Sequence, residues 1–425
     1  MIFGVPAEAR GVERRVALVP RSLPELAKAG VEVLVQRGAG EEAGFADAEY
    51  EQKGARLAAD AAELVAAADI LACVGPPGGG RRGGARTGDG EARPGDHRAS
   101  SSGRGLDVAT LRSGQVVVGL LDPFGAPQAM RGLAAAGVTS FALELLPRIT
   151  RAQSMDALSA MATVAGYKAV LLAAVELGKM FPMMITAAGT LAPAKILVVG
   201  AGVAGLQAIA TARRLGAVVT GYDIRPAVKQ QVESLGAGFL ELDLEAAAAE
   251  EAGGYAREMN EEFYRRQREM MAKAVAEHDV VITTAAVPGK RAPVLITADM
   301  VRGMKGASVI VDLAAETGGN CELTRPGETV AVHGVTIMGP VDLPATVPHH
   351  ASQMYSKNVA TFVANLVKDG RLELDGDDPI INETMATRDG EVVNEKVREA
   401  LGAEVEGRQA AAPGAAAAAP ERSAD

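Results

Sequence analysis

The feature that most constrains the fold of this chain is a glycine pattern that directly follows an apolar run. Residues 195–216 read KILVVGAGVAGLQAIATARRLG, which predicts a strand, a tight turn and an amphipathic helix. Gly200, Gly202 and Gly205 match G-x-G-x-x-G. The first glycine permits the turn, the second lets a pyrophosphate approach the backbone, and the third lets helix and strand pack closely. Because the start of a helix also presents N–H donors to phosphates, the segment predicts a dinucleotide-binding unit.

The next apolar run indicates which dinucleotide is bound. VVTGYD ends in Asp223, 18 residues after Gly205. A carboxylate at that strand end accepts from the ribose 2′-OH and repels a 2′-phosphate, so the sequence favours NAD(H) over NADP(H). Arg225 is a complication, because a nearby arginine can accommodate that phosphate; Asp223 stands at the expected position and carries more weight. Further cofactor contacts are predicted from the same two turns, at Ala201, Val203, Ile224 and Arg225.

Short apolar runs alternate with helical patterns on both sides of this unit. Before it, the pattern predicts strands at 1–5, 31–35, 70–74, 116–121 and 139–143, with helices at 22–30, 57–68 and 127–137. Such alternation predicts parallel sheets covered on both faces. An apolar helix over 155–181, expected to be buried, leads into the dinucleotide unit, and another over 352–368 returns to the first. We therefore predict two α/β domains with parallel sheets. The first comprises 1–160 plus 350–400, and the second is a Rossmann NAD-binding domain, 161–349, inserted into it.

Two segments are not expected to have a fixed fold. Residues 75–105 hold 11 glycines and 6 arginines and no Val, Ile, Leu, Met or aromatic residue. They bury too little apolar surface to offset the entropy of ordering, which favours a disordered insert over an arginine-rich anion-binding arm. Residues 403–425 contain an Ala/Pro/Gly tract and a polar end, which is typical of a disordered tail.

Charge and composition exclude several classes of function. A net charge of −10 leaves no large basic face for nucleic acid, and the absence of tryptophan leaves little material for base stacking. Cys73 and Cys321 fit neither a disulfide framework nor a metal site, which indicates a reducing compartment. His349 and His350 are sequence neighbours and do not converge on one ion, so no metal site is predicted. The start has no signal-peptide pattern, and the charge-free apolar stretch within 179–195 is shorter than the roughly 20 residues of a membrane span. We therefore expect a soluble chain.

A polar stretch at the junction of the two predicted domains carries residue types suited to holding a cofactor. Residues 147–159 read PRITRAQSMDALS and bring together Arg148, Gln153 and Asp156. Taken alone, the stretch is typical of a helix start with Ser154 or Asp156 as its N-cap. Its position favours a role at the cofactor, because it leads from one α/β domain into the helix that enters the dinucleotide unit.

Taken together, these motifs resemble domain I of proton-translocating NAD(P) transhydrogenase, a relative of alanine dehydrogenase. The resemblance covers residues 14–369 apart from the insert, and rests on PRITRAQSMD, GYKAV, FPMMITAAGT, ILVVGAGVAGLQAIATARRLGA, TTAAVPGKRAPVLI, DLAAETGGNCELT and GGYAREM. It implies that NADH binds here and passes hydride directly to NADP⁺ on a separate domain III, while membrane subunits couple the transfer to proton translocation. It also implies a homodimer and the Re/Si-specific type of enzyme.

No transmembrane segment follows the Ala/Pro tract, so the resemblance is to the split form with a separate soluble α1 chain. Its implied location is cytoplasmic and peripheral, on the inner face of the cell membrane, through the partner subunits.

The resemblance also implies the site residues. Arg148, Gln153 and Asp156 match the loop that holds the nicotinamide, with Ser159 beside it, and are the predicted catalytic residues. We expect Asp156 to fix the guanidinium of Arg148 and Gln153 to align the two nicotinamide rings. Further contacts are expected from the same loop, from a mobile loop over 241–259 that closes on the nucleotide, and from the loop after VVITT, at Ser154, Met155, Gly254, Tyr255 and Val287.

Two alternative functions remain open at this point. Alanine dehydrogenase shares ERRVALVP at 13–20, in which an arginine can hold a substrate carboxylate. Oxidative deamination also needs a proton acceptor, yet before Lys168 the chain has only Lys28, Lys53 and His97, the last within the insert. Hydride transfer between two nicotinamides moves no proton and needs only positioning and electrostatics. The other alternative is a non-enzymatic NAD-binding regulatory subunit, against which the polar nicotinamide loop argues.

Overall fold

The computed structural model describes residues 1–9, 13–78, 105–241, 261–287, 289–368, 370–374 and 376–402, with the side chains of 261–264 left out. Most of the predicted insert, the predicted tail, and Gly254 and Tyr255 of the predicted mobile loop lie outside the described residues. Both ends of the predicted insert belong to the folded part: the Gly78 N–H donates to the Leu106 carbonyl at 2.7 Å, and the Gly105 N–H donates to the Ala7 carbonyl at 3.1 Å. The disordered insert over 75–105 stays a prediction, with these two hydrogen bonds at its ends.

Strands and helices alternate along the chain, as the apolar pattern predicts. The strands are β1 (Ile2–Val5), β2 (Glu32–Gln36), β3 (Arg56–Ala58), β4 (Ile70–Ala72), β5 (Val116–Gly119), β6 (Thr139–Ala142), β7 (Met184–Thr186), β8 (Gly189–Leu191), β9 (Lys195–Val199), β10 (Val218–Tyr222), β11 (Gly238–Phe239), β12 (Val280–Thr283), β13 (Val309–Asp312), β14 (Thr329–Val332), β15 (Val335–Met338), β16 (Val367–Lys368), β17 (Arg371–Leu372), β18 (Met385–Arg388) and β19 (Glu391–Val392). The α-helices are α1 (Leu23–Lys28), α2 (Asp47–Gln52), α3 (Ala61–Ala67), α4 (Pro127–Ala135), α5 (Ala157–Glu176), α6 (Val203–Arg214), α7 (Lys229–Ser234), α8 (Glu261–Glu277), α9 (Ala298–Arg302), α10 (Pro348–Leu366) and α11 (Pro379–Thr384).

One predicted helix begins too early. The helix expected over 57–68 is split, because Leu57 belongs to β3 and α3 begins only at Ala61. The boundary is set by Asp60, whose carboxylate accepts from the Glu63 N–H at 2.9 Å. An N-cap of this kind satisfies a backbone donor that the first helical turn leaves free, so Asp60 starts the helix although the apolar pattern runs through it.

Two large sheets have the same strand order. The first runs β19-β18-β6-β5-β4-β1-β2-β3 and the second β11-β10-β9-β12-β13-β15-β14. Within each, six strands are parallel in the doubly wound order 3-2-1-4-5-6, which confirms the predicted α/β class. The sheets are not purely parallel, because antiparallel strands add to one edge of each, β18 and β19 in the first and β14 in the second. Winding reverses between β1 and β4 and between β9 and β12, where such sheets bind ligands outside their carboxyl ends.

Helix α10 returns to the first sheet and completes its core, in agreement with the helix predicted at 352–368. Fully buried Ser352 accepts a hydrogen bond from the Val16 N–H at 3.0 Å, across 336 residues of chain. The Tyr355 hydroxyl donates to the Cys73 carbonyl at 2.7 Å and accepts from the Leu120 N–H at 3.1 Å. These bonds satisfy backbone groups that burial would otherwise leave unpaired, so α10 is part of the first folded unit.

Helix α5 joins the two sheets but is less buried than its sequence predicts. It packs against α6 and α10, yet only a third of its most apolar stretch is buried. In the described part of the chain it is the one helix whose length and composition would suit a membrane span. Val175 near its end is 88 % exposed, and Ile185 on the following β7–β8 hairpin is 78 % exposed. Exposed apolar side chains on two consecutive elements mark a candidate contact surface.

Candidate functional site

The predicted glycine turn lies between β9 and α6, where the second sheet reverses its winding. Gly200 has a φ of +99°, in the region that favours glycine. A Cβ on Gly205 would lie 1.8 Å from the Gly200 carbonyl oxygen, so a larger residue cannot occupy that position without moving the turn. No described atom lies within 4 Å of the place where a Cβ on Gly202 would stand. The turn is thus packed tightly behind and open in front, as a pyrophosphate on a helix N-terminus requires.

The loop after β12 holds this turn from the other side of the reversal point. The Thr284 hydroxyl donates to the Gly200 carbonyl at 3.0 Å. Buried Asn320 fixes the next residue of the loop, since its carbonyl accepts from the Ala285 N–H at 2.9 Å and its amide donates to the Ala285 carbonyl at 2.8 Å. Thr284 and Asn320 therefore fix the backbone of the glycine turn and of the loop after β12.

Asp312, at the end of β13, organises the neighbouring loop. Both oxygens of this fully buried carboxylate are satisfied, through hydrogen bonds of 2.8–3.0 Å donated by the Thr283 hydroxyl, the Ala314 N–H, the Cys321 N–H and the Thr324 hydroxyl. Sequence reasoning missed the roles of Thr284, Asp312 and Asn320. The available signal is that each is a polar residue that ends or follows an apolar strand at the carboxyl edge.

Asp223 lies directly after β10 and forms hydrogen bonds to the glycine turn after β9 and to its own loop after β10. One oxygen, Oδ2, accepts from the Ala201 N–H at 2.8 Å. The guanidinium of Arg225 binds the carboxylate with two parallel contacts of 2.9 Å, Nε to Oδ1 and Nη2 to Oδ2, and the Arg225 N–H donates to Oδ1 at 2.9 Å. Both side chains are largely buried. The structure therefore brings together three predicted residues, Ala201, Asp223 and Arg225, in one network.

The predicted nicotinamide loop forms a 3-10 turn, Thr150–Met155, in front of α5. Asp156 is the N-cap of α5, because its carboxylate accepts from the Ser159 N–H at 2.8 Å and from the Ser159 hydroxyl at 2.6 Å. The expected pairing of Asp156 with Arg148 is not seen in the described residues, where Asp156 instead bonds Ser159, through one carboxylate oxygen to the N–H and through the other to the hydroxyl. Arg148, Gln153 and Ser154 are exposed, whereas Met155 is buried.

Two contacts tie this loop to the C-terminal helices. Arg151 forms a bidentate ion pair with Asp378, which lowers the pKa of that carboxyl to about 2. The Asn358 amide donates to the Ser154 carbonyl at 2.9 Å. The backbone that carries Gln153 is thus held on both sides, although the Gln153 side chain is exposed.

The carboxyl-edge loops of the two sheets meet each other. A Cβ on Gly289, in the loop after β12, would lie 3.2 Å from the ring of Phe124, in the loop after β5. Arg15, in the loop after β1, lies with its Nη2 3.5 Å from Oδ1 of Asp342, in the loop after β15. The two reversal points therefore open into the same interdomain region.

A carboxyl with a shifted pKa lies at this junction. Glu144 follows β6, and its two oxygens accept from the Asp122 N–H at 2.7 Å and the Leu121 N–H at 3.2 Å. Burial of the carboxyl raises its pKa to about 7, despite these hydrogen bonds. Sequence reasoning did not find it. Among the described residues, no group of three or more His, Cys, Asp or Glu side chains is placed to hold a metal ion.

The other predicted cofactor residues lie on the same edge of the second sheet. Val203 opens α6 and is 43 % exposed, Ile224 lies between Asp223 and Arg225, and Val287 stands in the loop after β12. These three positions lie at the carboxyl edge of the second sheet, and their contacts to a cofactor stay a prediction.

Comparison with known proteins places this geometry in a family. Residues 4–88 and 104–165 match the family described as alanine dehydrogenase/PNT, N-terminal domain, and residues 169–395 match its C-terminal domain. The chain is 44 % identical over 398 residues to an NAD(P) transhydrogenase subunit alpha of Rhodospirillum rubrum, covering 93 % of this chain and 98 % of that protein. Its structure is similar to that of a transhydrogenase from Sinorhizobium meliloti, with a TM-score of 0.75 and 39 % identity over 93 % of this chain and 100 % of the other. Alanine dehydrogenase of Halomonas elongata is 31 % identical over 412 residues, covering 95 % and 98 %.

Proposed function

Because this chain belongs to the alanine dehydrogenase/PNT family, we propose that it is the NAD(H)-binding alpha subunit of an NAD(P) transhydrogenase. The relative at 44 % identity carries that subunit's name, whereas the alanine dehydrogenase stands at 31 %. When bound, NADH supplies a hydride that passes directly to NADP⁺ held on a partner domain III, leaving NAD⁺ here and NADPH on the partner. The enzyme is of the proton-translocating, Re/Si-specific type.

The single observation that carries this proposal is the turn from Gly200 to Gly205 with Asp223 beside it. The absence of any described atom near a Cβ on Gly202 leaves the space that a pyrophosphate needs, and the start of α6 supplies its N–H donors. Asp223 stands at the strand end where such folds read a ribose hydroxyl, with the Arg225 guanidinium as the donor that the hydroxyl would replace, so the residues present fit NAD(H). The nucleotide-binding unit proposed here comprises residues 161–349, and residues 1–160 with 350–400 form the other.

We assign roles at the nicotinamide end from exposure and anchoring. Arg148 and Gln153 are exposed on a loop that Arg151 and Asn358 hold in place, so they can hold the carboxamide and align the two rings. Asp156 acts on the loop by fixing the start of α5 through Ser159, rather than on the guanidinium of Arg148. We assign Ser154, Met155 and Ser159 to this end of the site as well, together with Val287 in the loop after β12.

The chemistry of the interdomain region favours hydride transfer over deamination. The chain has neither lysine nor histidine where β4 and β5 end, reading ACVGPP and GLLDPF there. Glu144 has a pKa suited to moving protons, but both its oxygens are bound to backbone N–H groups of the loop after β5. Hydride transfer between two nicotinamides needs no proton acceptor. The side chains of this region therefore position the nicotinamide and exclude water, and none of them has to carry a proton.

The exposed apolar surface of α5 and the β7–β8 hairpin supports a homodimer. The exposed members of this dimer surface are Leu158, Tyr167, Val175, Met180, Met183, Met184, Ile185 and Leu191. A second copy of the chain would cover them by an isologous contact. The dimer is cytoplasmic and peripheral on the inner face of the membrane, where partner subunits carry the proton pathway.

The decisive experiment mixes the purified chain with an NADP-binding domain III loaded with an NADP⁺ analogue whose reduced form absorbs at its own wavelength. We expect NADH-dependent reduction of the analogue, NADH binding tighter than NADPH binding by calorimetry, and no turnover of alanine or pyruvate with NAD(H). Appreciable alanine deamination would replace the proposal with alanine dehydrogenase. Tight NADH binding without hydride transfer would favour a regulatory subunit.

A further inference from the structure

The carboxylate of Asp223 has no acceptor position left for a ribose hydroxyl. Oδ1 accepts from the backbone N–H and from Nε of Arg225, and Oδ2 accepts from the Ala201 N–H and from Nη2 of Arg225. A carboxylate offers about four lone-pair sites, and these four hydrogen bonds of 2.8–2.9 Å use them all. A 2′-OH can therefore donate to Asp223 only if one of the present donors leaves.

The two backbone donors cannot leave without moving the fold. The Ala201 N–H belongs to the glycine turn that Thr284 holds, and the Arg225 N–H belongs to the backbone only two residues from Asp223. The guanidinium is different, because it sits at the end of a long side chain, and the Arg225 side chain is 18 % exposed whereas the Asp223 side chain is 7 % exposed. The Arg225 side chain is thus the donor that rotation about its own bonds can remove.

From this geometry we infer that Arg225 determines how strongly the site binds NADH, because its guanidinium competes with the ribose 2′-OH for Asp223. The inference rests on the proposed function, since it concerns the same nucleotide site. Binding exchanges a charge-assisted contact inside the chain for a hydrogen bond to the ligand, so the 2′-OH contributes little net affinity in the wild-type chain. Without the guanidinium, the hydroxyl would replace only water and would contribute fully.

An arginine that merely positions Asp223 has the opposite consequence. If the guanidinium served to hold the carboxylate in place, its removal would let Asp223 rotate and would weaken NADH binding. The two backbone N–H groups that remain on Asp223 argue against this, because one bonds each oxygen without help from the side chain. The sign of the affinity change therefore separates competition from positioning.

The test is calorimetric titration of the full chain and its Arg225→Gln variant with NADH and with NADH that lacks the 2′-hydroxyl of the adenosine ribose. We expect the variant to bind NADH about tenfold more tightly than wild type, the equivalent of one charge-assisted hydrogen bond. Both proteins should bind the deoxy ligand equally well. Lys229→Gln is the matched control: it removes a nearby positive charge paired with Glu241 but leaves Asp223 untouched, and it should not strengthen NADH binding.

The outcomes separate this inference from the proposed function. If wild type binds NADH and Arg225→Gln binds it equally or more weakly, the competition is disproved while the proposed function stands. If wild type binds no NADH, both are disproved. A thermal melting temperature close to wild type confirms that the variant is folded, and the wild-type comparison of NADH with its deoxy form gives an independent reading. A large wild-type preference for the 2′-hydroxyl would contradict competition without any variant.

Discussion

At the scale of single residues, the carboxylates of Asp312 and Glu144 show how hydrogen bonds offset the desolvation of a buried charge. Asp312 accepts four hydrogen bonds and is held as an acceptor between two loops. Glu144 accepts two, from the N–H groups of Leu121 and Asp122, and burial raises its pKa to about 7. Hydrogen bonds to the ionised form of a carboxyl oppose the effect of desolvation, and at Glu144 the two bonds are outweighed by burial, so the pKa of this carboxyl lies near neutral pH.

The raised pKa of Glu144 predicts that the free energy of unfolding depends on pH, and Glu144→Gln should remove this dependence. The folded-state pKa of about 7 lies above the ordinary value of 4.5, so between these pH values the folded chain holds a proton that the unfolded chain has lost. The stability that Glu144 contributes is present below about pH 4.5 and declines as pH rises to about 7, by an amount on the order of 3 kcal/mol. Chemical unfolding at pH 5, 6, 7 and 8 should show wild type losing its advantage over the variant as pH rises.

The control for this series is Glu328→Gln, which changes an exposed carboxylate near β14. It should follow the wild-type pH profile. A constant difference between wild type and Glu144→Gln across the range would show that the carboxyl is ionised throughout.

Gln153 is predicted to act on transfer rather than on binding. Its side chain is exposed, so Gln153→Ala should fold as wild type does. If Gln153 aligns two rings, hydride transfer to domain III should slow at least about tenfold while the NADH dissociation constant changes less than about twofold, the pattern of a contact made in the transition state. Gln230→Ala, an exposed glutamine on α7, should leave both quantities unchanged. Equal losses in rate and affinity would make Gln153 an ordinary ligand contact.

At the scale of elements, the glycine turn separates a packing position from a binding position. Gly205→Ala places a Cβ 1.8 Å from the Gly200 carbonyl oxygen and 3.3 Å from the Thr284 hydroxyl, so it should destabilise the chain by about 1–3 kcal/mol or more. Gly202→Ala meets no described atom within 4 Å and should melt within a few degrees of wild type. It should nevertheless lose about tenfold or more in NADH affinity, because the methyl group takes the place of the pyrophosphate. Melting curves and calorimetry on both variants check this, and a Gly202→Ala chain that binds NADH normally would place the phosphates elsewhere.

Local features of these elements could be read from the sequence, and long-range ones could not. The strand, glycine turn and helix from Lys195 to Arg214 are neighbours in sequence, so their period and residue types predict them directly. The start of α3 was missed because Asp60 sets it against an apolar pattern that continues on both sides. The expected Asp156–Arg148 pair is not seen, because sequence proximity does not show that Ser159 bonds the same carboxylate. Asn320 reaches Ala285 across 35 residues, a contact that no local pattern encodes.

At the scale of the whole molecule, the uncovered apolar surface predicts the state of association. Ile185→Lys, on the β7–β8 hairpin, should convert a dimer into a monomer in sedimentation experiments, because a charge cannot be buried without a partner. Val393→Lys is the matched control, since Val393 is an exposed apolar residue near β19 and outside the dimer surface. The hairpin variant should keep NADH binding. A wild-type chain that is monomeric, or an Ile185→Lys variant that stays dimeric, would show that another surface mediates association.

The strand order was only partly predictable at this scale. Alternating strands and helices indicate parallel sheets, but β18 and β19 join the edge of the first sheet from the far end of the chain, and their short sequences carry no sign of that pairing. The meeting of the two carboxyl edges, Gly289 against Phe124 and Arg15 with Asp342, likewise depends on how the units dock. The sequence could place the glycine turn of the second sheet, whereas the reversal point of the first sheet and their common opening needed the structure.

The return of α10 to the first sheet has a consequence for how the chain is made. Tyr355 satisfies the backbone of Leu120 across 235 residues, and at roughly 5–20 residues per second a ribosome needs on the order of ten to fifty seconds to add them. All strands of the second sheet, β9 to β15, are synthesised within that interval and are complete at Met338, before Tyr355 is added, whereas the first sheet still lacks the helix that covers it. Nascent chains should therefore acquire protease resistance in the middle before the beginning, and the amino-terminal strands are the ones that a chaperone must shield.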